Sequence, residues 1–181
     1  MPKREKGQSA ARRAAALQAL RELYATLPEV ACKGYCQRSC RSPIDVSDLE
    51  RQTIHDASGT WIPRPEQWPP GAPCPLLTPA GRCGDHANRP TICRLYGAGA
   101  TANMQCPHGC LPTARLTLQQ TIDVLLQALE IGGHPDYRTG TDRLREIAAD
   151  QRLRPALLRV MTGDPTALEE IHTALRRLPS P

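Results

Sequence analysis

The sequence predicts a mainly α protein in which helical N- and C-terminal segments flank an irregular, loop-rich, stapled cysteine region. Three observations predict it: leucine-rich stripes at spacings of three and four towards both ends, seven prolines between Pro63 and Pro79, and eight cysteines confined to positions 32–110 of a 181-residue chain. Apolar side chains recurring at i, i+3 and i+4 line one face of a helix. Proline removes a backbone donor and fixes φ, which bars helix and central strand. The Gly, Pro, Asn and Asp between the later cysteines favour turns and bury little apolar surface unaided. The expected divisions are an N-terminal amphipathic helix in 1–30, a cysteine cluster over 31–110 and a helical region over 111–181.

Taken in order, Leu17, Leu20, Tyr24 and Leu27 predict an amphipathic helix over 10–27, with Ser9 as its cap and Pro28 as its stop. Its apolar face needs cover, from the protein's own core or, as the second choice, from a partner protein. Ser47-Asp48-Leu49-Glu50 has the capping-box pattern and predicts a short helix ending near Gly59. Capping accounts for Glu50, with a catalytic carboxylate as the second choice. Trp61 and Trp68 flank the proline-rich loop, where they are expected to fold back over an edge of the core. Thr117-Leu118-Gln119-Gln120 is a second capping box, followed by a stripe of Leu118, Ile122, Leu125 and Leu129 that ends at Gly132-Gly133. Further helices are expected over 142–150, 155–162 and 165–178. The last has Asp164 as cap, Pro165 at its first position and Leu168, Ile171 and Leu175 on one face.

Aromatic residues make up 3% of the chain and phenylalanine is absent, so Leu, Ile, Val and Ala must do most of the packing. The net charge is +5, of which the first 30 residues, with six Lys/Arg against three Glu, supply +3. Residues 111–181 balance nine Arg against nine Asp and Glu, so no basic stripe forms and nucleic-acid binding is disfavoured. A protein partner met through the N- or C-terminal helices is the expected kind of association. Neither a signal-type apolar stretch nor the run of about 20 apolar residues that a membrane span needs is present, and the expected location is the cytoplasm, away from the membrane.

In that reducing compartment, clustered cysteines point to metal binding or redox chemistry rather than a disulfide framework. A thiolate is a soft, charged donor, and four of them suit zinc or an iron-sulfur cluster. Eight cysteines could build two such sites, with metal as the staple of the loop-rich middle. Cys32, Cys36 and Cys40 are spaced so that their sulfurs share one side of two helical turns or converge in a tight loop, and both geometries stay open. Cys106-Pro107-His108-Gly109-Cys110 reads as a knuckle, given the proline and glycine inside it. Arg89 and Arg94 flank Cys93 and either donate to thiolate sulfurs or sit on the surface. His86 and His108, within three residues of cysteines, are stand-ins for a sulfur ligand.

Cys74-Pro75-Leu76-Leu77, Gly81-Arg82-Cys83 and Arg89-Pro90-Thr91-Ile92-Cys93-Arg94-Leu95-Tyr96 together resemble the signature of the YkgJ-like cysteine-cluster family of zinc- or iron-chelating domains. The resemblance extends upstream, where Cys32, Cys36 and Cys40 precede Val46-Ser47 and Glu50, and it covers residues 31–110. It implies metal-ligand roles for Cys32, Cys36, Cys40, Cys74, Cys83 and Cys93; Cys106 and Cys110 join them by spacing. Ser39-Cys40 stands where many members carry two adjacent cysteines.

The expected function is therefore that of a metal-binding protein, holding an iron-sulfur cluster or zinc in a structural, carrier or sensing role. The flagellin lysine methylase branch of the resemblance implies iron in preference to zinc. It also supplies the alternative, a metal-dependent protein-modifying enzyme similar to flagellin lysine N-methylase. The chain has no Ser-His-Asp arrangement, phosphate loop or dinucleotide fingerprint, so an enzyme would have to draw its chemistry from the metal. Ser39 also interrupts the cysteine spacing of radical enzymes.

Overall fold

A computed structural model describes residues 3–33, 35, 38–41, 43–44, 46–133, 146–161 and 166–176. Among them the helices run in the order α1 (Lys3–Ala25), α2 (Asp48–Ser58), α3 (Thr91–Leu95), α4 (Leu118–Gly132), α5 (Arg154–Met161) and α6 (Thr166–Arg176), with 146–149 also helical. Short 3-10 turns occupy Arg38–Arg41, Pro65–Gln67 and Ala102–Met104. Isolated antiparallel bridges, Val30 with Pro112 and Leu77 with Cys83, are the strand-like pairings among the described residues. The mainly α class with a loop-like cysteine region is the observed one.

The centre of the fold is α4, which packs against α1, α2, α3 and α5. Its start follows the predicted capping box: Gln120 N–H donates to Thr117 Oγ1 at 3.2 Å, and Thr117 N–H donates to Gln120 Oε1 at 2.8 Å. One face, with Ala128, Val124 and Ile131, meets Leu20, Leu23 and Leu49. The other sends Ile122, Leu125, Leu126 and Leu129 into the main core. A helix buried on two sides needs this wide apolar arc, and the predicted stripe is one half of it.

The apolar face of α1 is thus covered from within, by α2 and α4. Its ends differ from expectation. The helix begins at Lys3, so Ser9 lies inside it rather than capping it; the Lys, Arg and Glu that precede Ser9 are good helix formers and extend the first turns. It stops at Ala25, after which Thr26 and Leu27 N–H groups close on Leu23 and Tyr24 carbonyls at 3.1 and 3.2 Å.

Helix α2 ends as predicted, with Gly59 in the left-handed conformation, φ 71°, and its N–H on the His55 carbonyl. The start of α2 docks on the end of α4, where Asp48 N–H donates to the Gly133 carbonyl at 2.8 Å. The contact is so close that a Cβ on Gly132 would collide with Ser47 Oγ and Cβ. Of the C-terminal expectations, α5 and α6 fall within two residues of the predicted limits and pack on each other, with Ile171 buried. Asp164, Pro165, residues 142–145 and the side chains of Leu168 and Leu175 lie outside the described residues.

The middle of the chain buries more than its turn-rich composition suggests. Ile44, Val46, Ile62, Trp68, Leu76, Ile92, Leu95 and Met104 all enter the main core. Each buried aliphatic is worth roughly 1.5–3 kcal/mol, so the loops are anchored apolar side chain by apolar side chain as well as through their cysteines. Trp68 folds back as expected, 7% exposed with its Nε1–H on the Ala72 carbonyl at 2.9 Å. Trp61 does not: it is 50% exposed and stacks on His55 with ring centres 4.1 Å apart. Among the described residues no helix is long and apolar enough to cross a membrane.

The Gly132 contact yields a direct test. Gly132→Ala gains intrinsic helix propensity yet forces the α2–α4 junction apart, and the expected net result is a loss of about 1–3 kcal/mol in urea unfolding. A gain in stability would show the junction to be looser than described.

Candidate metal centre

The chain brings cysteines together by short local devices. Residues 74–84 fold back on themselves through the Leu77–Cys83 bridge. Thr78 N–H meets the Arg82 carbonyl at 2.8 Å and Gly84 N–H the Leu76 carbonyl at 2.7 Å. The turn between them is Thr78-Pro79-Ala80-Gly81, where Pro presets φ and Gly81 takes φ 74°, a value that favours glycine. Cys74 and Cys83 are so drawn to one end. Cys40 is joined to them by the Cys74 N–H, which donates to the Cys40 carbonyl at 2.7 Å. Cys93 arrives on α3, whose Ile92 and Leu95 are buried in the core.

These four half-buried thiols feel one another's charge. Burial, followed by the charges of Cys74 and Cys83, pushes the Cys40 thiol up to about 11. Burial also raises Cys74, against the opposing pull of the Leu76 and Leu77 N–H groups, and Cys83 adds to the rise. Cys93 is driven far above the usual thiol range, first by burial and then by Cys74, Cys40, Cys83 and the Glu50 carboxylate. Cys40, Cys74 and Cys93 therefore hold their protons at neutral pH unless a cation is bound.

A second group forms where two distant segments pair. The Val30–Pro112 bridge and the Thr113 N–H on the Glu29 carbonyl, at 2.9 Å, lay residues 29–32 beside 110–113. Lys33 N–H then points at Cys110 Sγ, 3.4 Å away. The close approach of Val30 to the turn after α3 is possible because Gly97, at φ 99°, has no Cβ; one would stand 2.9 Å from Val30 Cγ1. Cys106–Cys110 is the predicted knuckle: Gly109 has φ 72°, and His108 N–H donates to Cys106 Sγ at 3.4 Å.

All seven described cysteines, Cys32, Cys40, Cys74, Cys83, Cys93, Cys106 and Cys110, line one cavity of about 120 Å³ and are thiols rather than half-cystines. Cys36 lies outside the described residues. The early cysteines do not share a helix face: Cys32 is in irregular chain beside Cys110, while Cys40 is in a 3-10 turn beside Cys74. Of the two flanking arginines, Arg89 lines the cavity and bonds His86 Nε2 at 2.7 Å. Arg94 turns away, donating to the Ala87 carbonyl at 2.7 Å and lying 4.1 Å over the Tyr24 ring. His86 also lines the cavity; burial, with Arg89 and Arg94 nearby, holds it below the ordinary histidine range and so neutral at physiological pH. His108 sits edge-on to Tyr35 at 5.8 Å.

The donor set fits a thiophilic metal. Several desolvated thiols that repel one another as thiolates are a poor arrangement alone and a good one around a cation, which reverses the sign of every interaction. Arg89 adds a matching demand, because its buried Nε has no hydrogen-bond partner and an anionic sulfur centre would provide one. Among the described residues no three donors already surround one point; the sulfurs stand around a cavity wall instead.

Residues 31–111 match a known family model. It is the CxxCxxCC family, a "putative zinc- or iron-chelating domain". The chelating-domain match begins one residue before Cys32 and ends one after Cys110, so it takes in both thiol groups and leaves α1 and α4–α6 outside. No curated protein and no solved structure matches the chain.

One residue next to the centre does more than its sequence spacing indicates. Glu50 does complete the capping box with Ser47, but it is 3% exposed and also takes hydrogen bonds from Tyr24 on α1 and Thr91 on α3. Its three-residue spacing from Ser47 explains the first role, and nothing local signals the others.

The raised thiol of Cys40 sets a pH dependence. A thiol ionising near 9.0 when unfolded and about 11 when folded contributes stability that is present below pH 9 and lost as pH rises towards 11. Chelator-treated, reduced protein is expected to unfold at lower urea at about pH 10.5 than at about pH 8, and Cys40→Ser to shrink the difference. Equal midpoints at both pH values would contradict the burial of these thiols.

Proposed function

We propose that this chain is a metal-holding protein in which Cys40, Cys74, Cys83 and Cys93 bind an iron-sulfur cluster, in a structural, carrier or sensing role. The supporting observation is that four thiols from three segments line one cavity, with burial raising Cys40, Cys74 and Cys93. The chelating-domain match over the same residues supports metal as the ligand. Cys32, Cys106 and Cys110, with Cys36 four residues after Cys32, make the second ligand set. The choice of a cluster over zinc follows the family resemblance, since the cavity itself is shared by all seven described cysteines. When bound, such a cluster supplies one-electron redox chemistry tuned by the charges and hydrogen bonds around it. Arg89, whose buried Nε–H has no partner, would donate to such a centre, and His86 holds its guanidinium in place.

Anaerobic purification with metal analysis and a visible spectrum tests the reading. The expected protein is brown, with iron and sulfide and a broad visible band. Cys93→Ser should abolish the band, while Cys110→Ser should leave it and lower only the total metal content. A colourless protein carrying stoichiometric zinc would overturn the cluster, and one that takes up neither metal would overturn the whole reading.

A further inference from the structure

We infer that Glu50 is a positioning residue for this centre: its buried carboxylate caps the short helix carrying Cys93 and ties that helix to α1 and α2. The inference rests on the ligand role of Cys93 proposed above. Helix α3 is five residues long, too short to be stable alone, and its N-cap residue is Pro90, which provides no side-chain cap. Glu50 takes over that task. Its Oε1 accepts from Thr91 N–H and Thr91 Oγ1–H, both at 2.6 Å, and from the Tyr24 hydroxyl at 2.7 Å. Its Oε2 accepts from Ser47 N–H at 3.0 Å and Ser47 Oγ–H at 2.8 Å. Cys93 follows Thr91 by two residues, so one carboxylate sets where that sulfur stands relative to the other three.

Each carboxylate oxygen faces an obligate donor, Thr91 N–H at Oε1 and Ser47 N–H at Oε2, so only a group that accepts at both ends answers them. Glutamine has nearly the same shape, but its NH2 would face either the Thr91 and Tyr24 donors or the Ser47 pair. Shape alone therefore cannot rescue the position. The carboxylate also sets charge, since it lies near enough to Cys93 to act on the thiolate. Outer groups that orient metal ligands typically change metal affinity by about 10–100-fold when removed.

The test compares metal release from full-length, metal-loaded protein into excess chelator. Glu50→Gln is expected to release its metal at least about tenfold faster than the unmodified protein and, if iron is bound, to shift the midpoint potential upward as a negative charge is lost. Leu20→Ala, which opens a hole between α1 and α4 but leaves the Glu50–Thr91 contacts alone, should lower the melting temperature without changing the release rate. Should Glu50→Gln fail to fold, Thr91→Val, which removes only the hydroxyl, takes its place with an expected release several-fold faster. Release from a folded Glu50→Gln, or failing that from Thr91→Val, at the unmodified rate overturns the inference, as does equal acceleration by Leu20→Ala. Unmodified protein that binds no metal overturns the earlier reading instead.

Discussion

Thiols crowded into a desolvated space are the constraint on which the rest of this molecule turns. Burial and mutual repulsion push Cys40, Cys74 and Cys93 towards the protonated form. Each thiol buried beside the next makes the charged state costlier, and positive charge placed among the sulfurs reverses that cost. The orphaned Nε of Arg89 at the cavity shows the same imbalance from the other side, a buried donor with no acceptor.

The helical frame carries the segments on which these thiols stand. Helix α4 is clasped on two faces, by α1 and by the main core, and the loop segments hook isolated apolar side chains such as Ile62, Leu76 and Met104 into that core. Hydrogen bonds at chain crossings do the finer placement. The Cys74 N–H on the Cys40 carbonyl and the Val30–Pro112 bridge each join cysteine segments distant in sequence. Glu50 works at the same level, joining α1, α2 and α3 through one carboxylate. The frame and the centre thus meet at this one carboxylate.

Much of the frame was legible because helix signals are local. Ser47 with Glu50 and Thr117 with Gln120 act within one turn, so both capping boxes form where the sequence places them. The misreadings share a cause as well. Ser9 looked like a boundary, but helix-forming residues precede it and nothing requires a helix to stop at a suitable cap. Trp61 looked like cover for the core, yet His55, one turn from the end of α2, offered it a stacking partner at the surface. The buried aliphatics of the middle segment carry no periodicity, and their inward placement is invisible until α4 is there to receive them.

The sequence by itself determined which residue types would do the chemistry, since softness and charge belong to the thiol wherever it lies, and it determined the helices whose caps and stripes are written within a few neighbouring positions. Tertiary structure decided the grouping. Cys32 and Cys40 are eight residues apart and part company, one beside Cys110 and the other beside Cys74, whereas Cys40 and Cys93 are brought within reach of each other's charge. The reason is that sulfur proximity depends on how hairpins, bridges and a five-residue helix cross in space, and spacing along a chain of loops does not encode those crossings.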